Sequence, residues 1–138
     1  MRGVRGLILG GLMFAGALAG CAPKELSPAE LESAVVGTWR DQTGRPIEFK
    51  ADKTIITPVD VQDMTGTWSL TPETGEIVIE VNEGVRRAED GRVYPAKTWT
   101  AYISKDGATM RFYIYAPEAI ETAKKILGKD PGADLTKD

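Results

Sequence analysis

An all-β, mainly antiparallel fold is predicted: a small barrel of about seven to eight strands, with a short N-terminal helix and a C-terminal helix. Three observations predict it. From Val35 to Ala116, apolar and polar residues alternate with period two, the signature of strands with one dry face. Polar separators break the alternation every few positions: Asp41-Gln42-Thr43-Gly44, Ala51-Asp52-Lys53, Thr71-Pro72-Glu73-Thr74-Gly75 and Lys105-Asp106-Gly107. Their composition is that of hairpin turns. Finally, a sheet of about seven such strands leaves unpaired edges unless it curls and closes. An open β-sandwich or another meander is the alternative way to arrange the same strands.

The chain has 138 residues, a length that suits one domain. Its first charges are Arg2 and Arg5, and the next is Lys24. Between them lies the apolar run from Gly6 to Leu18, the pattern of a secretory signal. A membrane-spanning helix needs about 20 apolar residues; this run is shorter and glycine-rich. It ends in Leu18-Ala19-Gly20-Cys21, which holds the only cysteine of the chain. These four residues resemble the lipobox of bacterial lipoproteins at every position. The resemblance implies that the Cys21 thiol carries a diacylglycerol, that cleavage falls just before it, and that the new amine is acylated. Two or more acyl chains hold a protein stably on a bilayer, since each buried CH₂ contributes ~0.8 kcal/mol. Ala22 rather than Asp after the cysteine resembles the outer-membrane address of enterobacterial lipoproteins. The expected location is therefore the cell envelope, lipid-anchored, at the outer membrane facing the periplasm.

Ala22 to Ser27 reads as a tether. Ser27-Pro28-Ala29-Glu30 combines an N-cap serine, proline at the first helical position and a glutamate three residues after the serine. That capping box predicts a helix over 28–35. The expected strands are 35–41, 46–51, 53–59, 64–70, 76–82, 92–104 and 108–116. Gly84 to Gly91 is a charged loop or a further strand pair. Parity turns Trp39, Ile47, Phe49, Met64, Trp68, Ile77, Ile79, Trp99, Ala101, Met110, Phe112 and Ile114 inward. It turns Thr38, Glu48, Thr67, Glu80, Thr100, Arg111 and Tyr113 outward. Pro117-Glu118 opens the last helix, Ala119, Ile120, Ala123, Ile126 and Leu127 form its apolar stripe, and Gly128 stops it. The domain boundaries follow: 1–20 a cleaved lipoprotein signal peptide, 21–34 a lipidated tether and short helix, 35–128 the barrel with its C-terminal helix, and 129–138 a flexible tail.

Gly37-Thr38-Trp39 opens the first strand. Phe49-Lys50-Ala51-Asp52-Lys53-Thr54, Gly66-Thr67-Trp68 and Gly75-Glu76-Ile77-Val78-Ile79 follow. Together they resemble the small lipocalin-like lipoproteins of bacteria, over about 36–127. The resemblance implies a lipocalin-like barrel whose first tryptophan crosses the closed end.

Composition narrows the chemistry. The chain has no histidine, so Ser-His and Cys-His nucleophilic pairs and His-containing zinc sites are excluded. No segment matches a P-loop, a dinucleotide fingerprint, a nucleophile elbow or a zinc motif. A formal charge of −3 with scattered basic residues gives no reason to expect nucleic acid. Asp60, Asp63, Glu73, Glu89 and Asp90 read as solvated loop carboxylates. Arg86, Arg87 and Arg92 read as a solvated loop interleaved with acids. Trp39, Trp68, Trp99 and Phe112 are the candidate ligand-binding residues, lining a pocket for a small apolar or amphipathic ligand; the competing reading is that they fill the core. Tyr102, Tyr113 and Tyr115 form either an outward interface patch or a wall under the C-terminal helix. The expectation is a non-catalytic binding domain without metal or cofactor, attached to the membrane through Cys21. Its alternative is an envelope interaction or assembly factor with a filled barrel. An enzyme working through carboxylates or tyrosine ranks third.

Overall fold

The computed structural model describes residues 25–59, 62–82 and 95–138. Helix α1 (Pro28–Val35) is followed by β1 (Gly37–Arg40), β2 (Pro46–Phe49), β3 (Thr54–Val59), β4 (Gln62–Thr71), β5 (Glu76–Val81), β6 (Lys97–Ile103) and β7 (Met110–Tyr113). A 3₁₀ turn (Pro117–Ala119), helix α2 (Ile120–Leu127) and β8 (Ala133–Lys137) complete the chain. The eight strands form one closed antiparallel barrel in sequence order. The predicted all-β, antiparallel barrel is therefore the observed fold class. The signal segment, Cys21, Asp60 and the arginine-bearing loop from Glu83 to Arg92 lie outside the described residues.

Helix α1 forms where its capping box predicts. Ser27 N–H donates to Glu30 Oε1 at 2.9 Å, and Glu30 N–H donates to Ser27 Oγ at 3.2 Å. The helix lies over one end of the barrel, burying Leu31 and Val35. Its last carbonyls have no partner within the helix. Trp39 Nε1–H takes Val35 O at 2.9 Å, and Lys137 Nζ takes Ala34 O at 2.7 Å. Just before the helix, Leu26 N–H bonds Lys105 O in the β6–β7 turn at 3.0 Å. The turns at 50–53, 72–75 and 104–109 share this closed end with α1.

The two Gly-x-Trp motifs have different causes. Gly37 sits at φ +137°, where an L side chain is strained. At Gly66 a Cβ would collide with the Glu80 carbonyl oxygen on the neighbouring strand. Each glycine thus lets the backbone turn or approach so that the tryptophan two residues later points inward. Phe49 and Trp68 then meet edge to face at 5.9 Å, a favourable ring arrangement.

Three expectations are corrected. Residues 129–138 do not form a flexible tail. Ala133–Lys137 is β8, pairing β7 through Met110↔Leu135, Arg111↔Asp134 and Phe112↔Ala133, and β1 through Trp39↔Lys137 and Arg40↔Thr136. Its one large apolar residue, Leu135, is buried; a single apolar position is too short a pattern to show periodicity. Ile114 does not continue the inward row of Met110 and Phe112 but is 61% exposed. β7 loses its β8 neighbour beyond Phe112, so nothing holds the alternation there. Thr100 and Tyr113 do not face water: both are buried. The Thr100 hydroxyl donates to Tyr115 O at 2.8 Å. The Tyr113 ring lies against Gly132, and its hydroxyl donates to Asp130 Oδ2 at 3.2 Å.

Leu135 carries the closing strand into the core. We expect Leu135→Ala to lower unfolding free energy by about 2–4 kcal/mol in urea titration, as for other buried leucines. A loss below about 0.5 kcal/mol would mean that the C-terminal segment is not part of the folded barrel.

Candidate functional site

The meander places alternate connections at alternate ends. The β1–β2 hairpin, the β7–β8 connection with α2, and the start of β6 therefore gather at the end opposite α1. There the barrel is hollow. A cavity of about 360 Å³ is lined by Ile47, Thr57, Met64, Trp99, Phe112 and Leu135, with Asp41, Arg45, Lys97 and Ile114 among its remaining lining residues. That volume lies at the small end of the range of about 300–1,000 Å³ for ligand pockets.

The four candidate residues divide between the two ends. Trp39 and Trp68 are packed in the core, and each indole N–H is engaged: Trp39 with Val35 O, and Trp68 with Lys50 O at 3.1 Å. Trp99 and Phe112 line the cavity and meet edge to face at 5.4 Å. Trp99 is 8% exposed, yet its indole N–H has no hydrogen-bond acceptor among the described residues. The structure thus brings two of the four candidates together and assigns the other two to the core. Of the proposed tyrosine patch, Tyr113 is buried and Tyr102 is half-buried, with its hydroxyl 3.3 Å from Glu76 Oε2. Burial, and then the Glu76 charge, push the Tyr102 hydroxyl pKa up.

Sequence reasoning missed Asp41, Arg45, Thr57, Lys97 and Leu135. Asp41 lay in a separator, Lys97 at the edge of a strand drawn too long, and Leu135 in the supposed tail. Inward parity from Ile55 could have found Thr57. Its hydroxyl is already used, donating to Pro46 O at 2.8 Å. No group of three or more acidic or cysteine side chains is placed to hold a metal ion among the described residues.

Turn aspartates shape the electrostatics. At the mouth, partial burial raises the Asp41 pKa. The Thr43 hydroxyl, the Arg45 and Thr43 N–H groups and the Arg45 charge outweigh it, so the carboxyl ends below its ordinary value. Asp52 is lowered by the Thr54 hydroxyl and N–H, and Asp106 by the Ser104 hydroxyl and Ala108 N–H. Asp130 is lowered chiefly by the Gly132 N–H, with Tyr113 and Arg111 adding to it against a smaller effect of burial. On the outer wall, Arg111 reaches Asp134 at 2.6 Å and Asp130 at 3.4 Å. Those contacts, led by the Asp134 hydrogen bond, hold the guanidinium firmly charged.

No family model, curated protein or solved structure matches this chain. Its function is therefore read from its own residues.

Two expected outcomes follow from the site. Trp39→Phe and Trp68→Phe each leave a carbonyl without its donor and should cost about 2–4 kcal/mol in urea titration. Trp99→Phe removes a donor with no acceptor and should cost under about 1.5 kcal/mol; equal losses at all three positions would contradict this division. The four lowered aspartates bind protons more tightly in the unfolded chain, where carboxyls titrate near ~3.9. Their stabilisation is complete above about pH 4 and is lost as the pH falls through the lower folded-state values. Unfolding free energy should drop below about pH 4, and asparagine at 41, 52, 106 and 130 together should flatten that drop.

Proposed function

We propose that this is a lipid-anchored cell-envelope lipoprotein whose barrel binds a small apolar or amphipathic ligand at its open end, without catalysis. The observation that carries the binding half is the cavity of about 360 Å³ bordered by Trp99, Phe112, Met64 and Leu135. A filled barrel would leave no such space, and the closed-end tryptophans show that this chain can fill space where it does so. The sequence Leu18-Ala19-Gly20-Cys21 after an apolar run supports the anchor. The non-catalytic reading is supported by the lack of histidine, which removes imidazole acid–base and nucleophile-activating chemistry. Ala22 in place of Asp after that cysteine supports a place at the outer membrane, facing the periplasm.

Two measurements test the two halves. Labelling with a clickable palmitate in cells should mark the protein, and Cys21→Ser should abolish the label and release the protein from the membrane fraction. Label that persists on Cys21→Ser would sink the anchor. Native mass spectrometry of protein purified without denaturant should show a stoichiometric extra mass that is lost on unfolding. Trp99→Ala, which changes the cavity wall, should lower its occupancy. Retention of the same mass at undiminished occupancy would place the ligand elsewhere.

A further inference from the structure

Leu26 is where the N-terminal segment joins the folded body. Its N–H donates to Lys105 O in the β6–β7 turn at 3.0 Å. Its side chain is half-buried and packs against the core. A Cβ on Gly107 would lie 2.8 Å from the side chains of both Leu26 and Ala34, so the glycine leaves the space that Leu26 occupies between turn and helix. The closed end of the barrel thus holds Leu26 by backbone and side chain together, and the chain before it is led off from that end.

Covalent geometry then limits where the barrel can stand. Cys21 and Leu26 are five residues apart. A fully extended chain spans at most about 3.6 Å per residue, so the reach between them is at most about 18 Å. A diacylglyceryl cysteine has its sulfur at the level of the lipid glycerols, so ~5–8 Å of that reach is spent crossing the headgroup layer. About 10–13 Å remain. The barrel is longer than this. β4 has 10 residues, which is about 33 Å of strand and about 25 Å along the axis at the ~40° tilt of barrel strands. Seating the open end on the bilayer would lift Leu26 about 25 Å above the headgroups, roughly twice what the tether covers. The closed end carries charges of both signs, as in the pairs Lys53–Glu32 at 3.0 Å and Lys105–Glu25 at 3.9 Å, so the tether rather than charge sets the orientation.

We propose that the α1 end of the barrel faces the bilayer that anchors it, and that the cavity opens away from that bilayer. A ligand therefore enters through water and not directly out of the anchoring leaflet. This rests on the lipid-anchor reading above.

The experiment uses the full-length protein purified from cells with its acyl chains and placed on phosphatidylcholine vesicles whose headgroups carry nitroxides, which quench bimane at short range. Single cysteines at exposed turn positions take the bimane: Ala51→Cys and Glu73→Cys at the closed end, and Gln42→Cys in the β1–β2 hairpin at the open end. Cys21, the chain's own cysteine, is blocked by its acyl group. Quenching should be at least about threefold stronger at 51 and 73 than at 42, given the reach of the tether. A flexible Gly/Ser insert of about thirty residues between Pro23 and Lys24, about 30 Å of random coil, should abolish that difference. Equal quenching at the two ends on the native tether, or stronger quenching at 42, would overturn the orientation while leaving the anchor standing. A difference that survives the insert would overturn the tether as its cause. An intact mass without acyl chains, or protein that does not float with the vesicles, would overturn the anchor reading itself.

Discussion

Closure of the barrel depends on five residues at its far end in sequence. β8 is short, and it must satisfy two neighbours at once: three register pairs with β7 and two with β1. Without it both strands become edges, with rows of backbone groups exposed and the core open to water along a seam. Side chains reinforce the seam on both sides. Arg111 crosses from β7 to Asp134, Arg40 on β1 reaches Asp138 at 2.9 Å, and Lys137 reaches back to α1. These exposed ion pairs contribute little energy singly. Leu135, buried between Met110 and the interior, supplies the apolar stabilisation that holds the strand in register.

The interior is built in two parts. Near α1, two tryptophans with engaged indoles, Phe49, Ile77 and Ile103 fill the space between helix and barrel wall. Lysines lie over both indoles, Lys53 at 4.8 Å from Trp68 and Lys137 at 5.6 Å from Trp39. Their chains cover apolar surface while their charges reach water. Toward the other end the third tryptophan, with Phe112, Met64 and Leu135, borders a void. The same residue type serves as core at one end and as cavity wall at the other. The difference lies in which backbone carbonyls each indole can reach.

Much of the fold was legible because it is written locally. Period-two alternation located β1 to β7, the Ser27–Glu30 box located α1, and Pro117 and Gly128 bracketed the C-terminal helical segment. Long-range facts were not legible. β8 is specified by the ladders it completes, since Ala-Asp-Leu-Thr-Lys has no pattern of its own. Tyr113 is buried by Gly132 and by a bond to Asp130, residues a turn and a helix away in sequence. The candidate site was half legible. Parity put Trp99 and Phe112 inside, but it puts Trp39 and Trp68 inside as well. Only the arrangement of the ends separates a wall from a plug. The mouth residues Asp41, Arg45 and Lys97 sit where strands begin and end, where periodicity carries no information.

The ends of the described chain meet at the closed end of the barrel. Leu26 is tied to the β6–β7 turn, Lys137 bonds the end of α1, and Asp138 N–H donates to Thr38 O at 2.9 Å. A mechanical load applied to the segment before Leu26 enters the molecule at that end. It is received by α1, by the turn holding Lys105, and through Lys137 by the closing strand. The hollow end lies off this load path, with the length of the strands between. Pulling on the N-terminal segment therefore tests the seam between the first and last strands before it deforms the walls around Trp99.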